Sequence, residues 1–285
     1  MKIIGHHKQL QYFEILQKNN KLHHAYLLVG PEHVGKTTLA KHIIASILKT
    51  SLEKLAIHPD FLQVERIDED GKLKRDITVE HIEQVVSKVA RSPIAGKHNI
   101  ILIENADKMN PYAANSLLKT LEEPSTPTLF FLLTNNEEKL LPTIRSRVHS
   151  IQLSRVDEAE MREHFTPEIV EAARGLPGLA FEWLQNPERY SEYKQEAARF
   201  FSLFNKPFFE KLAIVEPLFG DKKAHIEGRQ ELTAILGIWE QCLCSPQLSS
   251  SHRSPIYDMI RETIELLGKN IHPRLAMENL LLSIP

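Results

Sequence analysis

The sequence predicts an α/β fold, in which helices cover both faces of a parallel β-sheet and further helices follow the sheet. Short apolar runs have the length and composition of buried strands at residues 24–29, 100–103 and 129–133, and residues 58–64 read as a turn into a further strand with Pro59 at its start. Segments with helical periodicity, in which apolar residues recur three and four positions apart, lie between these runs. Strands that alternate with helices in this way form parallel sheets. After about Leu153 the strand pattern fades and helical periodicity continues.

The residues between the first apolar run and the helix that follows it match a phosphate-binding loop. Gly30 to Thr37 fit the pattern G-x-x-x-x-G-K-[ST]. The two glycines allow backbone angles that let successive N–H groups surround a phosphate, and the following helix adds its positive end. Because strand, loop and helix occur in the order that the motif requires, we interpret it as a nucleotide site rather than a chance match. The predicted contacts are Gly30, Pro31, Gly35, Lys36, Thr37 and Thr38.

The chemistry of each loop side chain follows from its position in the motif. Lys36 is expected to reach the β- and γ-phosphates, and the Thr37 hydroxyl to face Mg²⁺. Polar residues also follow the third and fourth predicted strands, at Glu104–Asp107 and Thr134–Asn136. Ligands of parallel α/β sheets bind at the carboxyl ends of the strands. Both groups are therefore expected at the nucleotide site.

Two later helices have identifiable start signals. Thr78 is a predicted N-cap, and Glu80 in the first turn complements the helix dipole. Asn110 is a second predicted N-cap, followed by Pro111 at the first helical position. That helix is expected to end before Pro124, since the residue before a proline disfavours helical angles.

Composition excludes several classes of protein. A formal net charge of −2 and a pI near 6.7 exclude a globally basic nucleic-acid binder. No apolar run approaches the roughly 20 residues of a membrane span, and the first residues lack a signal-peptide pattern. The only cysteines, Cys242 and Cys244, form neither a four-ligand zinc site nor a disulfide framework. We therefore expect a cytoplasmic protein without a membrane partner.

Several motifs carry a resemblance to a known family. The most specific is Asn115–Pro124, which reads Asn-Ser-Leu-Leu-Lys-Thr-Leu-Glu-Glu-Pro. The others are Ile4-Gly5-His6, His24–Leu27, His58-Pro59-Asp60, Ile144–Arg147 and Pro273–Leu280. With these residues the chain resembles bacterial clamp-loader subunits of the AAA+ family, and within it the delta-prime branch of DNA polymerase III subunits. The resemblance covers nearly the whole chain.

The resemblance implies three domains and a set of partners. Residues 1–153 would form an AAA+ P-loop nucleotide-binding domain, residues 154–190 a small helical lid domain, and residues 191–285 a helical C-terminal collar domain for oligomerisation. Such subunits assemble in a pentameric ring with the gamma/tau ATPase and delta subunits. The ring opens a sliding clamp and places it on primed DNA, so clamp and DNA would be partners through the complex.

The resemblance also assigns a role to Arg147. In the family an arginine of a Ser-Arg-Cys motif acts on ATP that the neighbouring subunit binds, and Ser146-Arg147-Val148 stands in its place here. A planar cation stabilises the charge that spreads over a transferred phosphoryl group. Arg147 is therefore the predicted arginine finger in trans. The alternative is a surface arginine that pairs with a local carboxylate.

The end of the third strand departs from an active ATPase of this family. The family pattern there is Asp-Glu, in which the first carboxylate supports Mg²⁺ and the second polarises water. Glu104 and Asn105 occupy these positions. Glu104 can still serve as a metal ligand, although its side chain is one methylene longer. Asn105 cannot accept a proton as a carboxylate does, and general-base assistance is typically worth about 10²- to 10⁴-fold in rate.

Other departures concern the sensors and zinc. Gly178 stands where the sensor arginine of the third helical segment would be, and Thr134 or Asn135 would be the sensor after the fourth strand. Relatives usually carry a four-cysteine zinc module before His58, whereas residues 46–57 contain no cysteine. No zinc is therefore expected. The only predicted metal is Mg²⁺ that a nucleotide brings to Thr37 and Glu104.

These features lead to two main functional hypotheses. The first is a clamp-loader subunit that binds ATP or ADP with Mg²⁺, hydrolyses it weakly or not at all, and donates Arg147 to a neighbour. The second is an active ATPase motor subunit of the gamma/tau type, against which Asn105 and Gly178 argue. A P-loop small-molecule kinase is a third hypothesis, and the run Asn115–Pro124 argues against it.

Overall fold

The structure, a computed structural model, describes residues 3–66, 76–219, 225–243, 248, 250–269 and 271–285. The chain divides into two compact units, Met1–Phe181 and Glu182–Pro285. The three-domain division with boundaries after residues 153 and 190 stays a prediction.

The first unit is built on a five-stranded sheet. Its strands are β1 (Ala25–Val29), β2 (Phe61–Val64), β3 (Asn99–Ile103), β4 (Thr128–Thr134) and β5 (His149–Gln152). Their spatial order is β2-β3-β4-β1-β5, and every neighbouring pair is parallel. The predicted α/β fold with a parallel sheet is confirmed.

Burial explains which strands the sequence reveals. Strands β1, β3 and β4 are buried along their whole length, which requires the continuous apolar runs seen in the sequence. Strand β5 lies at the sheet edge, and only Ile151 of its four residues is a large apolar residue. No apolar pattern marks this strand, so it is not among the strands predicted from the sequence.

Nine α-helices of the described chain begin within the first unit. They are α1 (His7–Lys18), α2 (Lys36–Leu48), α3 (Leu52–Leu55), α4 (Val79–Val89), α5 (Pro111–Glu122), α6 (Pro142–Arg145), α7 (Glu158–Arg162), α8 (Pro167–Ala173) and α9 (Pro177–Gln185), the last of which extends into the second unit. The predicted caps are confirmed. Asn110 Oδ1 accepts a hydrogen bond from the Ala113 N–H at 2.8 Å, and the Thr78 N–H donates to His81 Nδ1 at 3.2 Å.

The aspartate of the His58-Pro59-Asp60 motif organises a loop at the amino end of the sheet. Asp60 is fully buried, and its carboxylate accepts hydrogen bonds from the backbone N–H groups of Ile94, Ala95 and Gly96 at 2.6 to 2.8 Å. Burial alone would raise the pKa of Asp60, but these three N–H groups and Lys88 hold the pKa below its ordinary value. The motif therefore has a structural role in this chain.

The second unit is helical. Its helices are α10 (Pro187–Ser202), α11 (Phe208–Val215), α12 (His225–Cys242), α13 (Ser250–Gly268) and α14 (Pro273–Ser283). Phe200 and Trp239 pack at the centre of its apolar core, with ring centroids 5.4 Å apart. Buried Cys242 belongs to the same core, and Cys244 lies outside the described residues.

The run Pro273–Leu280, one of the motifs that carry the resemblance, lies within helix α14. Arg274 Nη1 and Nη2 donate to the two carboxylate oxygens of Glu216 at 3.2 and 3.0 Å, and Nε donates to Glu278 Oε1 at 3.0 Å. The guanidinium also lies over the ring of Phe219. Arg274 therefore connects α14 to the segment that follows α11, which is a structural reason for its place in the motif.

Within the described residues, no helix combines the length and apolar character needed to cross a bilayer. In the same ranges, no cluster of three or more His, Cys, Asp or Glu side chains is placed to hold a metal ion. The absence of zinc from the whole protein stays a prediction.

Candidate nucleotide site

The phosphate-binding loop connects β1 to α2, as predicted. Gly30 follows the last residue of β1, and its N–H donates to the Thr134 carbonyl of β4 at 3.2 Å. A Cβ atom at Gly30 would lie 2.7 Å from the carbonyl oxygen of Leu153, so only glycine fits. Gly35 precedes α2 with a φ of 103°, an angle that favours glycine. Thr37 and Thr38 lie in the first turn of α2.

Lys36 is held within the loop that contains it. Its Nζ donates to the carbonyl oxygens of Gly30 and Pro31 and to Asn135 Oδ1, each at 2.8 Å. Asn135 Nδ2 donates in turn to Glu32 Oε1 at 2.8 Å. Lys36 therefore lies at the centre of the loop, in contact with the end of β4.

Burial sets the protonation of this lysine. Desolvation lowers the pKa of Lys36 to about 8, although the carboxylates of Glu32, Asp107 and Glu104 act to raise it. At neutral pH the side chain is mostly an ammonium, which a phosphate would attract. A bound anion would also favour the charged form and raise this pKa again.

Thr37 and Glu104 lie together, as the metal prediction requires. Thr37 Oγ1 is 3.2 Å from Glu104 Oε2. Two adjacent oxygen ligands of an octahedral Mg²⁺ are about 3.0 Å apart, given metal–oxygen distances of roughly 2.1 Å. The two side chains therefore fit a magnesium ion that a nucleotide would complete. When bound, the ion would neutralise phosphate charge.

Glu104 has a second partner that its sequence context does not reveal. Gln63, in strand β2, donates from Nε2 to Glu104 Oε1 at 2.8 Å, and also to Glu65. Burial, and then the Glu65 carboxylate, raise the pKa of Glu104, while Lys41, Thr37 and Gln63 lower it less. The signal in the sequence is a polar residue within an otherwise apolar run. Gln63 holds the longer glutamate side chain towards Thr37.

The structure separates the two sensor candidates at the end of β4. The Thr134 hydroxyl donates to Asp107 Oδ1 at 2.8 Å and accepts from the Asn136 N–H at 3.0 Å. It therefore faces Asp107 and the next turn, whereas Asn135 contacts Lys36. Of the two side chains, that of Asn135 contacts the phosphate loop, whereas Thr134 meets Gly30 through its backbone carbonyl. The sensor role itself stays a prediction.

Asn105, which stands where the general base is expected, cannot act as a base. Asn105 follows β3 in a left-handed conformation, with a φ of 52°, and begins a short 3₁₀ helix at Ala106–Lys108. An amide at this place accepts no proton from water. Asp107 is the next carboxylate along the chain, and it accepts a hydrogen bond from Thr134.

Gly178, which the resemblance places where a sensor arginine would be, contacts the phosphate loop directly. Its N–H donates to the carbonyl oxygen of His33 at 2.8 Å. A Cβ atom at this residue would lie 2.9 Å from that oxygen and 3.1 Å from the His33 Cα. The amino end of α9 therefore packs against the loop so closely that any side chain would displace it.

Arg147 follows α6 at the surface, and the partners described for its side chain are not residues of the phosphate loop. Its Nη1 donates to the Thr143 carbonyl at 2.8 Å and to Ser146 Oγ at 3.2 Å, and Nη2 pairs with Glu122 at the end of α5. About a third of its side chain is exposed. Both the predicted finger and the local carboxylate pair are compatible with this geometry.

Comparison with known proteins identifies the family. A family profile described as "DNA polymerase III, delta subunit" matches residues 5–157, which include the sheet, the phosphate loop and Arg147. The chain belongs to this family.

Two relatives are themselves subunits of the delta-prime kind. The DNA polymerase III subunit delta' of Pseudomonas aeruginosa is 36% identical over 138 residues, which cover 44% of this chain and 41% of that protein. The subunit delta' of Haemophilus influenzae is 28% identical over 256 residues, which cover 81% of this chain and 74% of the relative. The chain thus matches less than half the length of the first relative. The resemblance to the delta-prime branch is confirmed.

The fold is also similar to that of a solved structure. A DNA polymerase III gamma subunit-related protein from Thermotoga maritima superposes with a TM-score of 0.58 at 16% identity, over 95% of this chain and 97% of the other. This similarity supports the fold of the described chain. The roles of the individual site residues remain predictions from the sequence.

Proposed function

We propose that this chain is a subunit of the bacterial clamp loader of DNA polymerase III, and that it helps place the sliding clamp on primed DNA. Membership of the family and the delta-prime relatives support this proposal. Its partners are the gamma/tau ATPase and delta subunits, with clamp and DNA reached through the complex. Its location is the cytoplasm.

Within the complex, the chain binds ATP or ADP with Mg²⁺ and hydrolyses it weakly or not at all. The loop geometry around Lys36 and the pairing of Thr37 with Glu104 support binding. The observation that carries the loss of hydrolysis is Asn105, because an amide replaces the carboxylate that would polarise water. Gly178 adds to the argument, since it leaves no cation where the sensor arginine would contact phosphate.

The first experiment measures nucleotide binding and turnover by the purified chain. Lys36→Ala should abolish ADP binding, because the loop loses its only lysine. Lys41→Ala, which removes another lysine of the same helix α2, is the matched control and should bind normally. Binding with negligible turnover supports the proposal, and robust turnover that Lys36→Ala removes would contradict it.

The second experiment tests Arg147 in the assembled loader. We infer that Arg147 stabilises the transferred phosphoryl group of ATP on the neighbouring subunit. Loss of an arginine finger typically costs about 10³- to 10⁵-fold in kcat. Arg147→Ala should therefore strongly reduce ATP turnover by the complex without disrupting assembly. Arg145→Ala, in the same segment, is the control, and unchanged turnover in Arg147→Ala would refute the assignment.

An active ATPase motor subunit is the second candidate function. The proximity of Thr37 and Glu104 favours it, because this pair suits a metal ion. The tau subunit of Escherichia coli, 30% identical over 176 residues that cover 56% of this chain and 27% of that protein, adds support. This function requires Asp107 to replace the missing base. Turnover that Asp107→Asn abolishes would establish it.

A further inference from the structure

We propose that Glu122 is a positioning residue for Arg147, which it holds in the orientation that the neighbouring nucleotide requires. The inference rests on the proposed function of Arg147. Glu122 is the last residue of α5 and belongs to the run Asn115–Pro124. This run carries the family resemblance, but no residue in it has a role in the proposed function.

The guanidinium of Arg147 is held from two elements. Thr143 and Ser146, in and next to α6, bind Nη1, while the Glu122 carboxylate at the end of α5 binds Nη2. A guanidinium has five N–H donors, and these contacts use three. The donors left for a ligand are the Nε–H and one N–H of Nη2. Glu122 therefore fixes which edge of the planar group faces solvent.

Such a restraint matters because arginine is long and flexible. An unrestrained arginine loses rotamer freedom when it binds a phosphate, and this entropy loss weakens the contact. A side chain that is already oriented loses less, which is the general advantage of preorganisation. Loss of Glu122 should thus slow the chemical step on the neighbouring subunit, while nucleotide binding there stays nearly unchanged.

The contact orients Arg147 without trapping it. The two side chains are 34% and 44% exposed, so water screens their attraction. The Nε–H and the second N–H of Nη2 are not used by Glu122, so they can donate to phosphoryl oxygens while the ion pair stays in place. The neighbouring Glu123 makes no ion pair with Arg147 in the described chain, so it offers a matched control.

The test is a double-mutant cycle on ATP turnover by the assembled complex, with assembly confirmed by gel filtration. Glu122→Ala should reduce kcat by about tenfold, a typical coupling between contacting residues, with KM changed less than twofold. In the Arg147→Ala background the same substitution should have no further effect. Glu122→Gln keeps an acceptor oxygen and should recover part of the loss, and Glu123→Ala should match the parent.

The outcomes separate this inference from the proposed function. If Arg147→Ala leaves turnover unchanged, the finger itself is refuted. If Arg147→Ala reduces turnover but Glu122→Ala does not, only the positioning role fails. An equal effect of Glu122→Ala with and without Arg147 would show that Glu122 acts independently. A rise in turnover in Glu122→Ala would show that Glu122 keeps Arg147 from acting, which also overturns the proposal.

Discussion

Replacement of Gly178 by alanine should destabilise the first unit, because the new methyl group would meet backbone atoms of the phosphate loop. The Cβ would lie 2.9 Å from the His33 carbonyl oxygen and 3.1 Å from its Cα. Overpacking of this kind typically costs about 1–3 kcal/mol, and loss of the Gly178 N–H hydrogen bond about 1 kcal/mol. Alanine recovers at most about 1 kcal/mol through helix propensity. The net expected loss is about 1–3 kcal/mol.

The measurement must report on the first unit. Trp239 lies in the core of the second unit and Trp183 in the part of α9 assigned to that unit, so tryptophan fluorescence would not report on the sheet and loop of the first unit. Calorimetric unfolding and hydrogen exchange of the loop segment 30–37 are suitable, and both should show weaker stability in Gly178→Ala. Faster exchange confined to this loop and the start of α9 would locate the effect.

A glycine elsewhere supplies the control. A Cβ at Gly237, inside α12, would have nothing within 4 Å. Gly237→Ala should therefore stabilise the second unit by about 0.5–1 kcal/mol, through helix propensity and lower unfolded-chain entropy. If Gly178→Ala were as stable as the parent, with unchanged exchange in the loop, the close contact between α9 and the loop would be refuted.

The contacts of Lys36, Asp60 and Arg274 each give a further prediction. ADP affinity should weaken as pH rises above about 8, where Lys36 loses its proton, and calorimetric titration against Lys36→Arg, which stays charged, checks this effect. The stability of the ligand-free chain should instead rise between the native pKa of Lys36, about 8, and the unfolded value of 10.5, because the unfolded chain then binds more protons. Asp60→Asn should lower the free energy of unfolding by about 1.5–3 kcal/mol at neutral pH, as measured by calorimetry. The difference from the parent should shrink below about pH 4, because a carboxylate with a lowered pKa loses its stabilising effect as it protonates. Arg274→Ala should lower the urea stability of the second unit by about 1 kcal/mol, as measured by fluorescence of Trp239 in a Trp183→Phe background. An unchanged midpoint would show that the pairs with Glu216 and Glu278 contribute nothing.

Most of the sheet could be predicted because its central strands are buried on both faces. That burial favours apolar side chains along the middle of each strand, and the runs at residues 100–103 and 129–133 therefore appear directly in the sequence. Strand β5 pairs with β1 at the edge, and its exposed residues impose no such pattern. Its position is set by partners distant in sequence, which a local pattern does not encode.

The backbone of the site could be predicted where a motif fixes its geometry. The contacts of individual side chains were less predictable, because they depend on residues distant in sequence. The loop from Gly30 to Thr37 lies where its pattern indicates, because the strand, glycines and helix constrain one another. The sequence could not choose between Thr134 and Asn135, because adjacent residues at a strand end point in different directions. The polar character of Gln63 stands out within its apolar run, but its partner could not be predicted, because Gln63 comes near Glu104 only when β2 pairs with β3.

The substitutions at the site form a consistent physical picture under the proposed function. Groups that hold a nucleotide remain, including the loop backbone, Lys36 and the Thr37–Glu104 pair. The groups that would drive hydrolysis are replaced, by Asn105 at the base and by Gly178 at the sensor. Gly178 also has a packing role, because its contact with His33 leaves no space for a side chain. An arginine at this position would have to move α9 away from the loop. Under the proposed function, hydrolysis would therefore need a rearranged helix as well as a new base.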